Sequence, residues 1–176
     1  MRRAIDALRH AWHTIRMALH DPDPAFLALN AHPHLLLAAL LKGECRGESI
    51  TGQIAVACTV RNRVRALNVP NSEHPWSLVI LRWAQYSCLW PSLGGSANFA
   101  VTKSFATDLL LPSYQPSAQE KQLLWVAEGV VFGAIQDITF GATHYYSTII
   151  PPPAWTDPPA YVTNRLGKHV FYAGVA

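Results

Sequence analysis

Two glutamates set four residues apart, Glu44 and Glu48 in the segment Gly43-Glu44-Cys45-Arg46-Gly47-Glu48, are the side chains best placed for acid–base chemistry. Glu44 follows an aliphatic run at residues 35–41, and an apolar setting raises a carboxyl pKa because it disfavours the ionised form. A carboxylic acid still protonated near neutral pH can protonate a leaving oxygen, as cleavage of a glycosidic bond requires. Gly43 and Gly47 would leave the backbone uncrowded for a bulky polymer to approach. Spacing alone fits equally simply with two solvated carboxylates at a helix end. Arg46 would lower the Glu44 pKa if it turned inward, so it is expected to point away and pair elsewhere, with Glu48 as its candidate partner.

Other residues could build walls around such a group. Gln85, Tyr86 and Ser87 offer an amide, an aromatic face and hydroxyls, the groups that orient sugar rings, although core packing would use them as well. His144, Tyr145 and Tyr146 could line a cleft, one tyrosine hydroxyl holding the glutamate or a substrate amide, and a buried, satisfied histidine is the competing expectation. Trp155, His169 and Tyr172 are expected to pin a tail to the core. Cys45, Cys58 and Cys88 have no C-x-x-C spacing and are odd in number, so neither a disulfide framework nor a structural zinc site is indicated. A Cys45 nucleophile would need a histidine partner, and none is near in sequence.

These residues need elements to position them. Ile5, Leu8, Trp12, Ile15 and Leu19 fall on one stripe of a helix over residues 4–20, broken by Asp21-Pro22-Asp23-Pro24. After a connector, Pro33 suits a first helical turn, and residues 34–42 form an apolar helix that delivers Glu44 at or just past its end. Ser49 is a plausible N-cap for a helix over residues 50–67 with its arginines largely on the solvent side. Residues 76–83 predict a short helix, and residues 85–98 an irregular aromatic segment. Ser117-Ala118-Gln119-Glu120 fits a capping box and opens what should be the central buried helix, to about residue 135. From residue 137 onward, prolines and aromatics predict a wrapping tail with little regular structure.

With 176 residues, half of them hydrophobic and 14% charged, the chain is long enough for one domain and too apolar for disorder. A net charge of +3 names no partner, and the group Arg61, Arg63 and Arg65 lacks interleaved aromatics, which speaks against nucleic acid. No apolar run approaches a membrane span, and no export signal is visible near Arg2 and Arg3. The expectation is a protein made in the cytoplasm, not inserted in membranes.

Four ordered blocks carry a family resemblance across roughly residues 36–173. Gly43-Glu44-Cys45-Arg46-Gly47-Glu48, followed by Gly52-Gln53-Ile54-Ala55-Val56-Ala57 and Arg61-Asn62-Arg63-Val64, resembles the signature of the spore-cortex-lytic SleB/CwlJ cell wall hydrolases. Gln85-Tyr86-Ser87-Cys88 with Trp90, Gly141-Ala142-Thr143-His144-Tyr145-Tyr146 and Gly167-Lys168-His169-Val170-Phe171-Tyr172 are similar to that family's later blocks. Cys45 departs from the pattern, which usually has a small residue there.

The resemblance implies a mainly α, compact lysozyme-like or lytic-transglycosylase-like domain with irregular aromatic loops and a C-terminal tail. It implies a catalytic domain over residues 33–176, with residues 1–32 as a helix and connector packed on it. The substrate implied is peptidoglycan, cut between N-acetylmuramic acid and N-acetylglucosamine, with Glu44 as acid and then base and a 1,6-anhydro product. Hydrolysis would need a second group, for which Glu48 is the local candidate. No metal or cofactor is expected, and a monomer is. A phage lysis enzyme released by a holin-type pore partner would suit the compact chain and the lack of a visible signal. Two competitors are a zinc amidase using His144, His169 and Asp157, whose spacing fits no zinc motif, and a non-catalytic wall-binding module.

Overall fold

The computed structural model of the chain describes residues 22–69, 72–93 and 96–175, so the helix expected over residues 4–20 lies outside the described residues. The connector holds a short helix, α1 (Pro24–Ala28), capped by the Asp23 side chain, which accepts from Ala25 N at 3.0 Å. Phe26 and Leu29 are fully buried, and Phe26 meets the edge of Phe99 at 6.2 Å, so this segment belongs to the core.

The centre of the fold is α2 (Pro33–Glu44). Its residues from Leu36 to Leu41 are all fully buried, as expected of a helix that is apolar all round. The helix α6 (Ala118–Val131), expected to be central, instead lies at the periphery: it buries Leu123, Val126, Ala127 and Val130 and leaves Trp125 55% exposed. It also stops at Val131 rather than near residue 135. Its capping box is present, with Ser117 Oγ and the Glu120 carboxylate exchanging bonds with each other's backbone N–H. Burial works against the Glu120 charge, but hydrogen bonds from Ser117, Lys42 and Tyr114 outweigh it and hold the carboxyl down at about 2. Lys42 reaches Glu120 at 3.0 Å and so fixes the last turn of α2 to the first turn of α6.

Helix α3 (Ile50–Ala66) is capped by Ser49, whose Oγ accepts from Gly52 N at 3.3 Å. Its arginines are only partly on a solvated face: Arg65 is exposed and Arg63 half-buried, while Arg61 is buried. Arg61 is 6% exposed and donates to the Val130 and Ile135 carbonyls at 3.3 and 2.7 Å, which ties α3 to the end of α6 and the turn after it. Asn62, also buried, donates to Asp137 and to the Ala142 carbonyl. A short α4 (Pro75–Ile80) and two 3-10 turns, Ser87–Leu89 and Pro91–Leu93, follow. They lead to α5 (Ser96–Asp108), a helix that the expectation of an irregular segment to residue 98 did not include.

The C-terminal region is not an irregular tail. It forms a three-stranded antiparallel sheet, β1 (His144–Ser147), β2 (Tyr161–Leu166) and β3 (His169–Ala173), in the order β1-β3-β2. Strands β2 and β3 join through Gly167 at φ +56°, a left-handed value that favours glycine. Tyr145 pairs with Phe171, and Phe171 packs with Ala55 and Ala142 in a small core that docks the sheet on α3.

Candidate active site

Glu44 ends α2 half-buried, and what brings α2 close to its neighbours is Gly43. A Cβ on Gly43 would lie 2.5 Å from Cys88 Cβ and 2.6 Å from Cys88 Sγ, and would overlap Thr102 Oγ1 of α5. The expected role of Gly43, open access for a polymer, is therefore corrected: it is buried and permits close packing. Gly47 is exposed with nothing within 4 Å of a Cβ position.

The sheet supplies the other side. Because side chains alternate along a strand, Tyr145 faces inward from β1 while His144 and Tyr146 face outward. The Tyr145 hydroxyl donates to Glu44 Oε2 at 3.1 Å, across 101 residues of chain. Burial pushes the Tyr145 pKa well up and the Glu44 charge adds to it, so the hydroxyl stays a donor. His169 lies edge-on to Tyr145 at 5.4 Å and is 7% exposed, with its Nδ1 buried and unpartnered among the described residues. Burial lowers its pKa, against the opposing pull of the Glu48 and then the Glu44 charges. Glu48 follows α2 in a turn, its amide donating to the Cys45 carbonyl at 3.0 Å. Glu48 Oε2 would be 3.0 Å from a Cβ on Gly167, which places the carboxylate against the β2–β3 turn.

Arg46 points away from Glu44, as expected, but its partner is not Glu48: Nη1 donates to the Lys42 carbonyl at 3.2 Å and to Asn98 Oδ1 at 3.0 Å. Cys45 and Cys88 are buried beside Glu44. Burial raises both thiols, and the neighbouring carboxylates raise them further, so neither supplies a thiolate nucleophile at neutral pH.

The remaining expected wall residues are divided. Tyr86 is 3% exposed, and its hydroxyl receives a bond from Arg63 Nη1 at 2.9 Å, so it supports the site from beneath and offers no open face for stacking. Burial is the main cause that lifts its pKa to about 12. Ser87 is exposed and Gln85 half-buried. His144 and Tyr146 join Trp155 and Tyr172 in an aromatic group on the outer face of the sheet, with ring centroids 5.3 to 6.2 Å apart. Burial, then the Arg63 charge, brings the His144 pKa down to about 4. Arg63 Nε also donates to the Thr143 carbonyl at the head of β1. His169 was readable only as a pin for the tail, because its contact with Tyr145 depends on β1–β3 pairing. Among the described residues, no three His, Cys, Asp or Glu side chains converge as a metal site, and no helix is long and apolar enough to cross a membrane.

A helical domain in which a small C-terminal sheet closes over one glutamate at the end of a buried helix is the class of protein that this geometry defines. The family model for cell wall hydrolases matches residues 47–172, and the chain belongs to that family, whose members degrade peptidoglycan. The match takes in Glu48, residues 85–87 and the sheet, and Glu44 stands just before its first residue. The crystal structure of the catalytic domain of the Bacillus cereus SleB protein is similar, with a TM-score of 0.50 and 24% identity, covering 79% of this chain and 88% of that one. At this identity the likeness speaks for the fold, and the mainly α, lysozyme-like architecture expected from the sequence is the one found. None of the curated proteins matches the chain.

Proposed function

We propose that the enzyme cleaves the glycan strand of peptidoglycan between N-acetylmuramic acid and N-acetylglucosamine as a lytic transglycosylase, with Glu44 as its catalytic residue. The observation that carries this is the Tyr145 hydroxyl on Glu44 Oε2 at 3.1 Å, which fixes the carboxyl at the end of a buried helix. Glu44 first gives its proton to the glycosidic oxygen as the bond to the muramic acid C1 breaks. The carboxylate then takes the proton of the C6 hydroxyl, whose oxygen attacks C1 and closes the 1,6-anhydro ring. Tyr145 orients the carboxyl through both steps by the hydrogen bond it donates. One carboxylate is enough for both steps, and Glu48, half-buried against the β2–β3 turn, is a nearby group that can hold the sugar.

The competing outcome, hydrolysis, is favoured by the placement of Glu48 against Gly167, near a histidine that feels both carboxylates. There Glu48 would position the attacking water. Mass spectrometry of the muropeptides released from purified sacculi separates the two, because an anhydro end is lighter by one water than a reducing end. Anhydro products from the wild type, with no products from Glu44→Gln that still binds sacculi, are the expected result. Reducing muramic acid ends would replace the transglycosylase with a muramidase, and undiminished lysis by Glu44→Gln would remove Glu44 from the chemistry.

A further inference from the structure

One cavity lies apart from Glu44. It holds about 290 Å³ between the C-terminal end of α3, α4 and the head of β1, and Arg63, Arg82, Gln85, His144, Leu67 and Leu78 are among its walls. None of its lining side chains is acidic. Arg63 uses Nε and Nη1 on Thr143 and Tyr86, which leaves Nη2 without a partner among the described residues. Arg82 is exposed; its backbone carbonyl accepts from Gln85 N at 3.1 Å, and its guanidinium has no hydrogen bond or ion pair among the described residues.

Two guanidinium groups with free donors and no carboxylate beside them fit an anion, and a planar fork fits a carboxylate best. Gln85 adds a donor and an acceptor suited to a peptide bond. Leu67 and Leu78, 38% and 53% exposed, give an apolar floor for small side chains. His144, neutral until the pH falls to about 4, adds a hydrogen-bonding wall without a third charge. The cavity shares its inner wall with the Glu44 site: Arg63 holds Tyr86, and His144 precedes Tyr145 on the strand whose opposite face holds Glu44.

We infer that this cavity is a stem-peptide subsite, in which Arg63 and Arg82 bind carboxylates of the peptide carried by the muramic acid being processed at Glu44. The inference rests on glycan cleavage at Glu44. A stem of three or four extended residues reaches roughly 10–14 Å, and β1 is an edge strand of the sheet, so the path between its two faces runs round an open edge. Its carboxylates meet the guanidinium groups, and its methyl side chains lie on Leu67 and Leu78. The enzyme is then selective for strands that still bear peptides.

The test uses soluble glycan strands with their stems and the same strands stripped by an amidase, each digested by the wild-type, Arg82→Glu and Glu44→Gln proteins. The wild type is expected to show a kcat/KM about fivefold higher on stem-bearing strands, the scale of one exposed ion pair. In Arg82→Glu that ratio falls to near one, through a higher KM rather than a lower kcat. Arg82→Ala moves the ratio the same way if the charge reversal disturbs folding. A wild type that cuts stripped strands as fast or faster, or a preference that both Arg82 variants retain, overturns the subsite. Cleavage of either substrate by Glu44→Gln overturns the Glu44 assignment instead, so the two failures are distinguishable.

Discussion

Replacing Gly43 with alanine sets two effects of opposite sign against each other. In a helix, alanine is favoured over glycine by about 1 kcal/mol, so propensity alone predicts a more stable protein. The space at Gly43 opposes this, because the new Cβ would sit 2.5 Å from Cys88 Cβ and 2.6 Å from Cys88 Sγ, and would overlap Thr102 Oγ1. Ordinary carbon contacts are about 3.5–4 Å, so about 1 Å must be found. Cys88 Cβ is fixed to the backbone, and Cys88 and Thr102 are both fully buried, so little behind them can give. Overpacking of this kind costs about 1–3 kcal/mol, and three simultaneous overlaps place Gly43→Ala near the top of that range. The net expectation is a loss of about 1–2 kcal/mol in urea unfolding. Peptidoglycan degradation should fall too, since the residue displaced next is Glu44, the proposed catalytic group. Gly47→Ala is the control: with nothing within 4 Å it should be neutral or stabilising by up to about 1 kcal/mol. Adding Cys88→Ala to Gly43→Ala should recover only part of the loss, because Sγ goes and Cβ stays. A Gly43→Ala protein as stable as the wild type, or more so, would refute the close approach of α2 to Cys88 and Thr102.

Tyr145→Phe keeps the ring packing and removes the donor to Glu44, so kcat should drop about 10- to 100-fold, the scale of a hydrogen bond to a charged group, with little change in Tm. An unchanged kcat would show that the hydroxyl does not orient the carboxyl. Glu120, held down at about 2, contributes stability that is fully present above its unfolded pKa near 4.5 and is lost as the pH falls from there through 2. Urea titrations of wild type and Glu120→Gln should therefore converge across that window, and parallel curves would count against the bonds from Ser117 and Lys42. Gly167→Ala should cost about 1–2 kcal/mol for the left-handed backbone, and Gly167→Asn less, because asparagine tolerates that region. Equal losses in thermal unfolding would assign the effect to the Cβ contact with Glu48 instead.

The helices that present Glu44 were legible because their signals are local. The aliphatic run at residues 35–41 marks a buried helix, and Ser49 and the Ser117–Glu120 box mark starts that the structure places at Ile50 and Ala118. Helix α5 was hidden because Phe99 and Phe105 share its buried side with Thr102 and Ala106, which thins the apolar stripe, and because it begins inside a segment whose glycines and aromatics read as irregular. The sheet was hidden for a different reason. His169, Val170, Phe171 and Tyr172 are all buried, so β3 shows no alternation, and its pairing with β1 and β2 is not written in either segment alone. Without the sheet, His144, Tyr145 and Tyr146 read as one wall. The pleat sends the middle residue to Glu44 and its neighbours to Trp155 and Tyr172. Arg61 is a similar case, because a buried arginine becomes plausible only when the carbonyls at Val130 and Ile135 that it satisfies are in view.

The bond between Tyr145 and Glu44 spans 101 residues, and this sets an order in time as well as in space. On a ribosome adding about 5–20 residues per second, Glu44 emerges roughly 5–20 s before the tyrosine that holds it, and β3, which braces that tyrosine, later still. Helix α2 can be made and buried early, and Cys88 can meet its terminal carboxyl before the sheet exists, yet the Tyr145 bond has to wait for β1 and for the β3 strand that braces it. A nascent chain therefore carries Glu44, the carboxyl proposed as its acid, long before strand pairing brings Tyr145 onto it.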